Sequence, residues 1–387
     1  MADGPIRLRG IAWDHSRGFT PMVATAQRYG ELHPGIQVTW EKRSLQAFAD
    51  APLAALAAEF DLLVIDHPFA GDLAQKPELV LDQNRHAPAA LLAELAAQAV
   101  GASHASYAYD GRRCALPIDA AAPVSGWRED LLARHGLRPP TTWEELLELA
   151  NHGFVAVAGI PVDCLMSFFM FCQAQGEVPC ATRERVVARD IGAAALAQQR
   201  DLMRRLPAET WERNPIRTWD ALAAAVDRPA ICPFAYGYSN YARPGYAGHV
   251  LRFGGLVTFR GRRLRATLGG TGLAVSARCR HPEAALDYAA RVAGADWQRT
   301  LYFDAGGQPA HRSAWTDEEV NRRSNGFFRD TLATLDEAWV RPRYPGYLDF
   351  QDHGGEIVRD FLLGRSHADA ALAALDRAYR ESLTPNP

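Results

Sequence analysis

The sequence predicts an α/β protein of two lobes, and three observations carry that expectation. The N-terminal third alternates strand-like and helix-like segments. A run of short strands and glycine-rich turns, from Pro229 to Ala277, follows a long helical middle. The chain has 387 residues, enough for two substantial cores.

The elements follow in order. "IRLRGIAW" reads as a strand ending at Trp13, and Phe19, Met22, Val23, Ala26 and Tyr29 then recur at helical spacing. "HPG" breaks that helix, and "IQVTW" alternates as a strand does. A second helix is expected from about Leu45 to Phe60, and "DLLVI" after it fits a buried parallel strand. Strand, helix, strand, helix, strand requires parallel crossovers. In "YAYDGRRCALPI", Asp110-Gly111 tolerates positive φ and predicts a hairpin. Pro139 and Pro140 stop any earlier helix, and Thr142 with Glu145 predicts a capping box for the next. Val162 to Val226 is mainly helical, and "GGTGLAVSA" is the last of the short strands. The final hundred residues return to helix, where "SHADAALAALDRAYRESL" is amphipathic with Ser366 expected as its cap. No internal repeat is visible.

Composition excludes several classes. Hydrophobic residues make up 48% and charged residues 22%, an ordinary globular balance. A net charge of -3 without a long basic run argues against nucleic acid as a partner. No apolar stretch reaches spanning length, since "LLAELAAQAV" is interrupted by Glu94, so no membrane insertion is expected. The N-terminus lacks a basic region followed by an apolar one, so no signal peptide is visible. Six cysteines show no CxxC or zinc spacing, and free buried thiols are expected. No P-loop, GxSxG or HExxH motif occurs, and no cofactor or metal is implied.

"YAYDGRRCALPIDAAAPVSGWREDLLARHGLRPPTTWEELLELA" resembles the central signature of family 1 extracellular solute-binding proteins, the substrate-binding subunits of ABC importers, often for sugars. "GGTGLAVSARCRHPEAALDYAARVAG" is similar to the family's second signature, and "GRSHADAALAALD" to its terminal helix. The three occur in the family's order and span nearly the whole chain. The resemblance implies a type II periplasmic-binding-protein fold, two α/β lobes joined by a hinge with a ligand cleft between them. Lobe 1 would take residues 1–113 plus 273–320, and lobe 2 residues 114–272 plus 321–387. It also implies a periplasmic monomer that closes on a small polar ligand and delivers it to an ABC permease. The lack of a visible signal peptide keeps a cytoplasmic location open.

Ligands of open α/β sheets sit beyond the carboxyl ends of strands. Strand one ends in Trp13, Asp14, His15 and Arg17, and strand three in Asp66 and His67. Carboxylates accept hydroxyl hydrogen bonds, histidine both donates and accepts, and an indole offers a flat apolar face, a set suited to a sugar or polyol. The alternative for Asp14 and Asp66 is capping of the following helices. A metal held by Asp14, His15, Asp66 and His67 is disfavoured, because adjacent side chains diverge. Asp119 follows Leu116-Pro117 at the crossover into lobe 2, as a ligand acceptor or as a turn-stabilising Asx bond.

Four of the twelve tyrosines fall between Tyr236 and Tyr246, in "ICPFAYGYSNYARPGY". By resemblance this loop supplies aromatic ligand contacts, with Tyr236 and Tyr238 on one face, Gly237 allowing close approach, and Asn240 and Tyr241 beside them. The alternative is packing on neighbouring helices. Gly270 and Thr271 lie in the return crossover and offer backbone amides to a ligand or serve the hinge. Gln308, His311, Tyr344 and Tyr347 are lesser candidates. Arg17 and Arg243 leave an acidic ligand open, with ordinary surface arginines as the alternative. Two other functions stay in view. One is a cytoplasmic enzyme resembling the thiamine-degrading enzymes of this fold, with Cys232 or Cys114 as nucleophile and His15 or His67 as base. The other is a cytoplasmic ligand sensor.

Overall fold

The computed structural model describes residues 4–44 and 53–384. The chain forms two compact units, Met1–Ala121 with Gly269–Arg322, and Ala122–Leu268 with Arg323–Pro387. The boundaries differ from those expected at 113/114 and 272/273. The cause is strand pairing, which keeps residues 114–121 and 269–272 with the first unit.

The first unit contains β1 (Ile6–Trp13), β2 (Ile36–Arg43), β3 (Leu62–Asp66), a hairpin of β4 (Ala108–Tyr109) and β5 (Arg112–Arg113), β6 (Leu116–Ala121) and, far along the chain, β12 (Gly269–Val275). Its main sheet has the order β2-β1-β3-β12-β6. β1 is parallel to β2 and β3, as the alternating pattern predicts. β12 runs antiparallel to both β3 and β6. The carboxyl ends of β1, β2, β3 and β6 therefore share one edge with the start of β12.

The helix Phe19–Leu32 buries Met22, Thr25, Ala26 and Tyr29, while Val23 of the same apolar set stays 41% exposed. The helix Pro282–Ala293 buries Ala285, Tyr288, Ala289 and Val292 in the same core. The Tyr288 hydroxyl meets Thr25 Oγ1 at 2.9 Å and accepts from Trp40 Nε1 at 3.1 Å. A buried phenol needs such partners. The helix expected over residues 45–60 is formed over Leu53–Glu59, and 45–52 lie outside the described residues. The hairpin turn has φ of 46° at Asp110 and 75° at Gly111, as a tight two-residue turn requires.

The second unit contains β7 (Pro123–Trp127), β8 (Ile231–Tyr236) and β9 (Arg252–Gly254) in the order β8-β7-β9, and a ribbon of β10 (Thr258–Phe259) and β11 (Arg262–Arg263). Its helical middle is formed by Pro161–Gln175, Arg189–Met203 and Pro215–Ala224. Phe168, Phe169 and Phe171 of the first of these are fully buried. Gly355 of the helix Tyr347–Leu362 lets that helix approach closely, since a β-carbon there would come 2.7 Å from the Pro161 backbone. Thr142 and Glu145 make the expected capping box. The last helix, Ala368–Ser382, has His367 at its N-cap with no side-chain cap bond, so Ser366 does not cap it. The helix begins a residue too late for the Ser366 hydroxyl to reach its free amides.

Candidate functional site

The carboxyl edge of the first unit's sheet gathers most of the polar candidates. β1 ends at Trp13, and Asp14 N donates to Arg43 O at 2.7 Å, extending the register into the loop. Trp13 is 3% exposed and belongs to the unit's core. Its indole covers Gly18, where a β-carbon would come within 2.3 Å of the ring. The expected open aromatic face is here a packed one.

Asp14 pairs with Lys42 Nζ at 2.8 Å, and both side chains are about half exposed, at 54% and 51%. It does not cap the next helix, whose N-cap is Gly18 without a side-chain bond. His15 Nδ1 accepts from Arg17 N at 2.9 Å. Burial, reinforced by the Arg17 charge, lowers His15 to about 4, so the ring is neutral at pH 7.

Arg17 is not a surface arginine. Its Nε donates to Asp119 Oδ2 at 2.8 Å and its Nη2 to Oδ1, with the side chains 5% and 0% exposed. Among the described residues the Asp119 carboxylate bonds to Arg17 and not to its own turn, and Asp119 belongs to the first unit, because β6 pairs with β12. A carboxylate at that depth requires a charge partner, which Arg17 supplies as a fork of two parallel bonds. Burial pushes the Asp119 carboxyl up from its ordinary value, and Arg17 pulls it back.

Asp66 does cap. Its Oδ1 accepts from His67 N at 2.8 Å at the start of the 3-10 turn His67–Phe69. His67 Nδ1 lies 3.1 Å from the same oxygen. The His67 ring is fully buried, edge-on to Tyr107, and so is a core histidine.

Strand register aligns three of these positions. Asp66 on β3 stands opposite Thr271 on β12, and Thr271 stands opposite Asp119 on β6. Thr271 Oγ1 is buried without a hydrogen-bond partner among the described residues. Gly270 has φ of 108°, and a β-carbon there would come 2.2 Å from Asp119 O. His311 is 3% exposed, with Nδ1 at 2.7 Å from Ser313 Oγ and Nε2 at 3.3 Å from Glu94 Oε1. Gln308 donates to Ala120 O at 2.8 Å. These last two hold the chain to itself.

Sequence reasoning missed Lys42, Arg43 and Tyr302. The first two end β2 in "WEKR", which continues the strand pattern onto this edge. Burial lowers Arg43 to about 10. Tyr302 is fully buried, and its hydroxyl is raised well above its ordinary value by burial and then by the charge of Asp119. Nothing in the local sequence signals that proximity.

The tyrosine loop belongs to the second unit. Tyr236 ends β8, its hydroxyl 2.9 Å from Thr267 Oγ1 and its carbonyl accepting from Trp219 Nε1 at 2.8 Å. Gly237 is needed for close approach, since a β-carbon there would come 2.8 Å from Val124. Tyr238 and Asn240 are 6% and 1% exposed around the 3-10 turn Ser239–Ala242. Tyr241 donates to Asp220 Oδ1 at 2.6 Å and packs edge-on to Tyr246, so it serves packing on the helix Pro215–Ala224. Tyr344 meets Ser382 Oγ at 2.8 Å, and Tyr347 is fully buried.

The cysteines do not look like nucleophiles. Cys232 is fully buried in β8 and burial raises its thiol, whereas attack requires a depressed pKa. Cys114 Sγ donates to Tyr107 O at 3.4 Å. Among the described residues, no three His, Cys, Asp or Glu side chains group as a metal site, and no helix is long and apolar enough to cross a membrane.

Comparison with known proteins agrees with this architecture. A family model described as bacterial extracellular solute-binding protein matches residues 24–327. A probable ABC transporter-binding protein of Deinococcus radiodurans is 25% identical, over 91% of this chain and 87% of its own. Solved structures share the fold, among them two bound to sugars or polyols. Maltose-bound MalE3 of T. maritima has a TM-score of 0.83 at 18% identity, covering 97% of this chain and 99% of its own. An ABC transporter solute-binding protein of Agrobacterium radiobacter K84 in complex with ribitol has a TM-score of 0.81 at 20% identity, with 98% of each chain covered. The two-unit α/β architecture and a family match over well over half its length place the chain among the bacterial extracellular solute-binding proteins.

Proposed function

We propose that this protein binds a neutral sugar or polyol and hands it to an ABC importer. The carboxyl edge of the first unit's sheet is proposed as the principal contact surface. The observation that carries this reading is the transverse row of Asp66, Thr271 and Asp119 at that edge, flanked by Asp14 and Lys42. Asp14, Asp66 and Thr271 offer hydroxyl-binding acceptors, and Thr271 and Lys42 donors, in a fixed spacing, the chemistry a polyol needs. Maltose and ribitol in the two structural relatives support the ligand class. Asp14, Asp66 and Thr271 are the proposed direct contacts, His15 a neutral donor through Nε2 beside them, and the backbone around Gly270 a further one. In the second unit, Tyr236, Tyr238 and Asn240 are proposed contacts, with Tyr241 acting through packing.

The reading is tested by thermal unfolding and calorimetry against maltose, glucose, ribitol, mannitol and tagatose, with mass spectrometry of the recovered ligand. A bound ligand at a hundredfold excess over its Kd adds about 2.7 kcal/mol of stability by mass action. The expected result is stabilisation by at least one sugar or polyol, recovered unchanged. Absence of binding across the panel, or recovery of altered ligand, would overturn the proposal.

A further inference from the structure

We propose that Asp119 is a specificity-determining residue which, by holding the Arg17 guanidinium, makes the ligand surface reject sugar acids and favour uncharged polyols. The inference rests on the sugar or polyol reading above. A guanidinium presents a fork that fits any carboxylate, whether from the protein or from a ligand. In this unit the fork is filled from within, by both oxygens of Asp119, in a pair almost wholly removed from solvent.

The surroundings make that occupancy matter. Asp14 and Lys42 neutralise each other at the end of β1 and β2. Asp66 lies near enough to Asp119 for its charge to be felt there, and Arg43 ends the neighbouring β2. His15, beside Arg17, is neutral at pH 7. With Asp119 ionised, Lys42 is answered by Asp14 and Arg17 by Asp119, so a carboxylate ligand finds neither of these two cations open to it. Asp119 is also one register step from Thr271, a proposed ligand contact. Replacing its carboxylate with an amide of the same shape removes the anion that offsets Arg17, so the edge gains a net positive charge whose field favours a carboxylate ligand.

The test is calorimetry of wild type, Asp119→Asn and the double variant Arg17→Gln/Asp119→Asn with ribitol, mannitol, ribonate and gluconate. Wild type is expected to bind a neutral polyol and to bind the matching sugar acid at least about tenfold more weakly. Asp119→Asn is expected to gain about tenfold to a hundredfold in affinity for the sugar acid, the range of a charge-assisted hydrogen bond. The double variant is expected to lose that gain. If Asp119→Asn is too unstable for calorimetry, gluconate must raise its Tm by more than it raises that of wild type, at matched ionic strength in chloride. A wild type that binds polyol, paired with an Asp119→Asn that gains nothing for sugar acids in either measurement, overturns the inference alone. So does a wild type that binds sugar acids as tightly as polyols. A wild type that binds neither class overturns the functional reading and this inference with it.

Discussion

Gly270 lies so close to Asp119 that a β-carbon on it would come 2.2 Å from the Asp119 carbonyl oxygen. Its φ of 108° is equally unsuited to a side chain. Gly270→Ala is therefore expected to lose about 2–4 kcal/mol of stability, from steric overlap and backbone strain together. Urea unfolding measures it, and a loss below about 0.5 kcal/mol would contradict the close approach.

Asp163 gives the second unit a proton-linked stability. It sits in the first turn of the helix Pro161–Gln175, 7% exposed, with Oδ2 lacking a hydrogen-bond partner among the described residues. Burial raises its carboxyl to about 7. The folded state thus holds a proton that the unfolded state releases near pH 4. Its stabilising effect is complete below that pH and is lost as pH rises toward 7, by on the order of a few kcal/mol. Asp163→Asn, which cannot ionise, is expected to flatten that part of the stability profile. An unchanged slope between pH 4 and 7 in the variant would refute the assignment.

Tyr241→Phe separates packing from recognition in the tyrosine loop. Losing the bond to Asp220 is expected to cost about 1–2 kcal/mol of stability while leaving sugar or polyol affinity within about twofold of wild type. A large loss of affinity without a loss of stability would return Tyr241 to the binding surface.

Thr271→Val addresses the central position of the strand row. The buried Oγ1 has no partner among the described residues, so an apolar replacement of the same shape is expected to leave stability unchanged or improve it by about 1 kcal/mol. If the hydroxyl contacts ligand, affinity falls about tenfold. Unchanged affinity would remove Thr271 from the contacts.

The sequence patterns made the strand ends legible because α/β periodicity is local. Alternation along "IRLRGIAW" and "IQVTW", and the short run "DLLVI", placed β1, β2 and β3 and hence Trp13, Asp14 and Asp66 at one edge. Long-range pairing was not legible. Arg17 and Asp119 are 102 residues apart, and their meeting depends on β12 inserting between β3 and β6. The same insertion moved Asp119 from the expected second lobe to the first unit. The chemistry of Trp13, His67 and His311 suits a ligand, but burial is a tertiary property. Side chains packed against Gly18, Tyr107 and Ser313 look no different in sequence from exposed ones.

The strand order of the first unit also governs when it can fold. β12 is the fourth strand across the sheet but the last to be synthesised, ending at Val275. Until it emerges, β3 and β6 each present an unpaired edge, and the row of Asp66, Thr271 and Asp119 lacks its middle member. The first 121 residues cannot close their sheet while the intervening 147 residues, Ala122–Leu268, are still being made. A nascent chain built this way remains open until β12 has emerged, with edge strands in need of protection from mispairing. On the proposed reading, binding competence arrives abruptly, with a single strand.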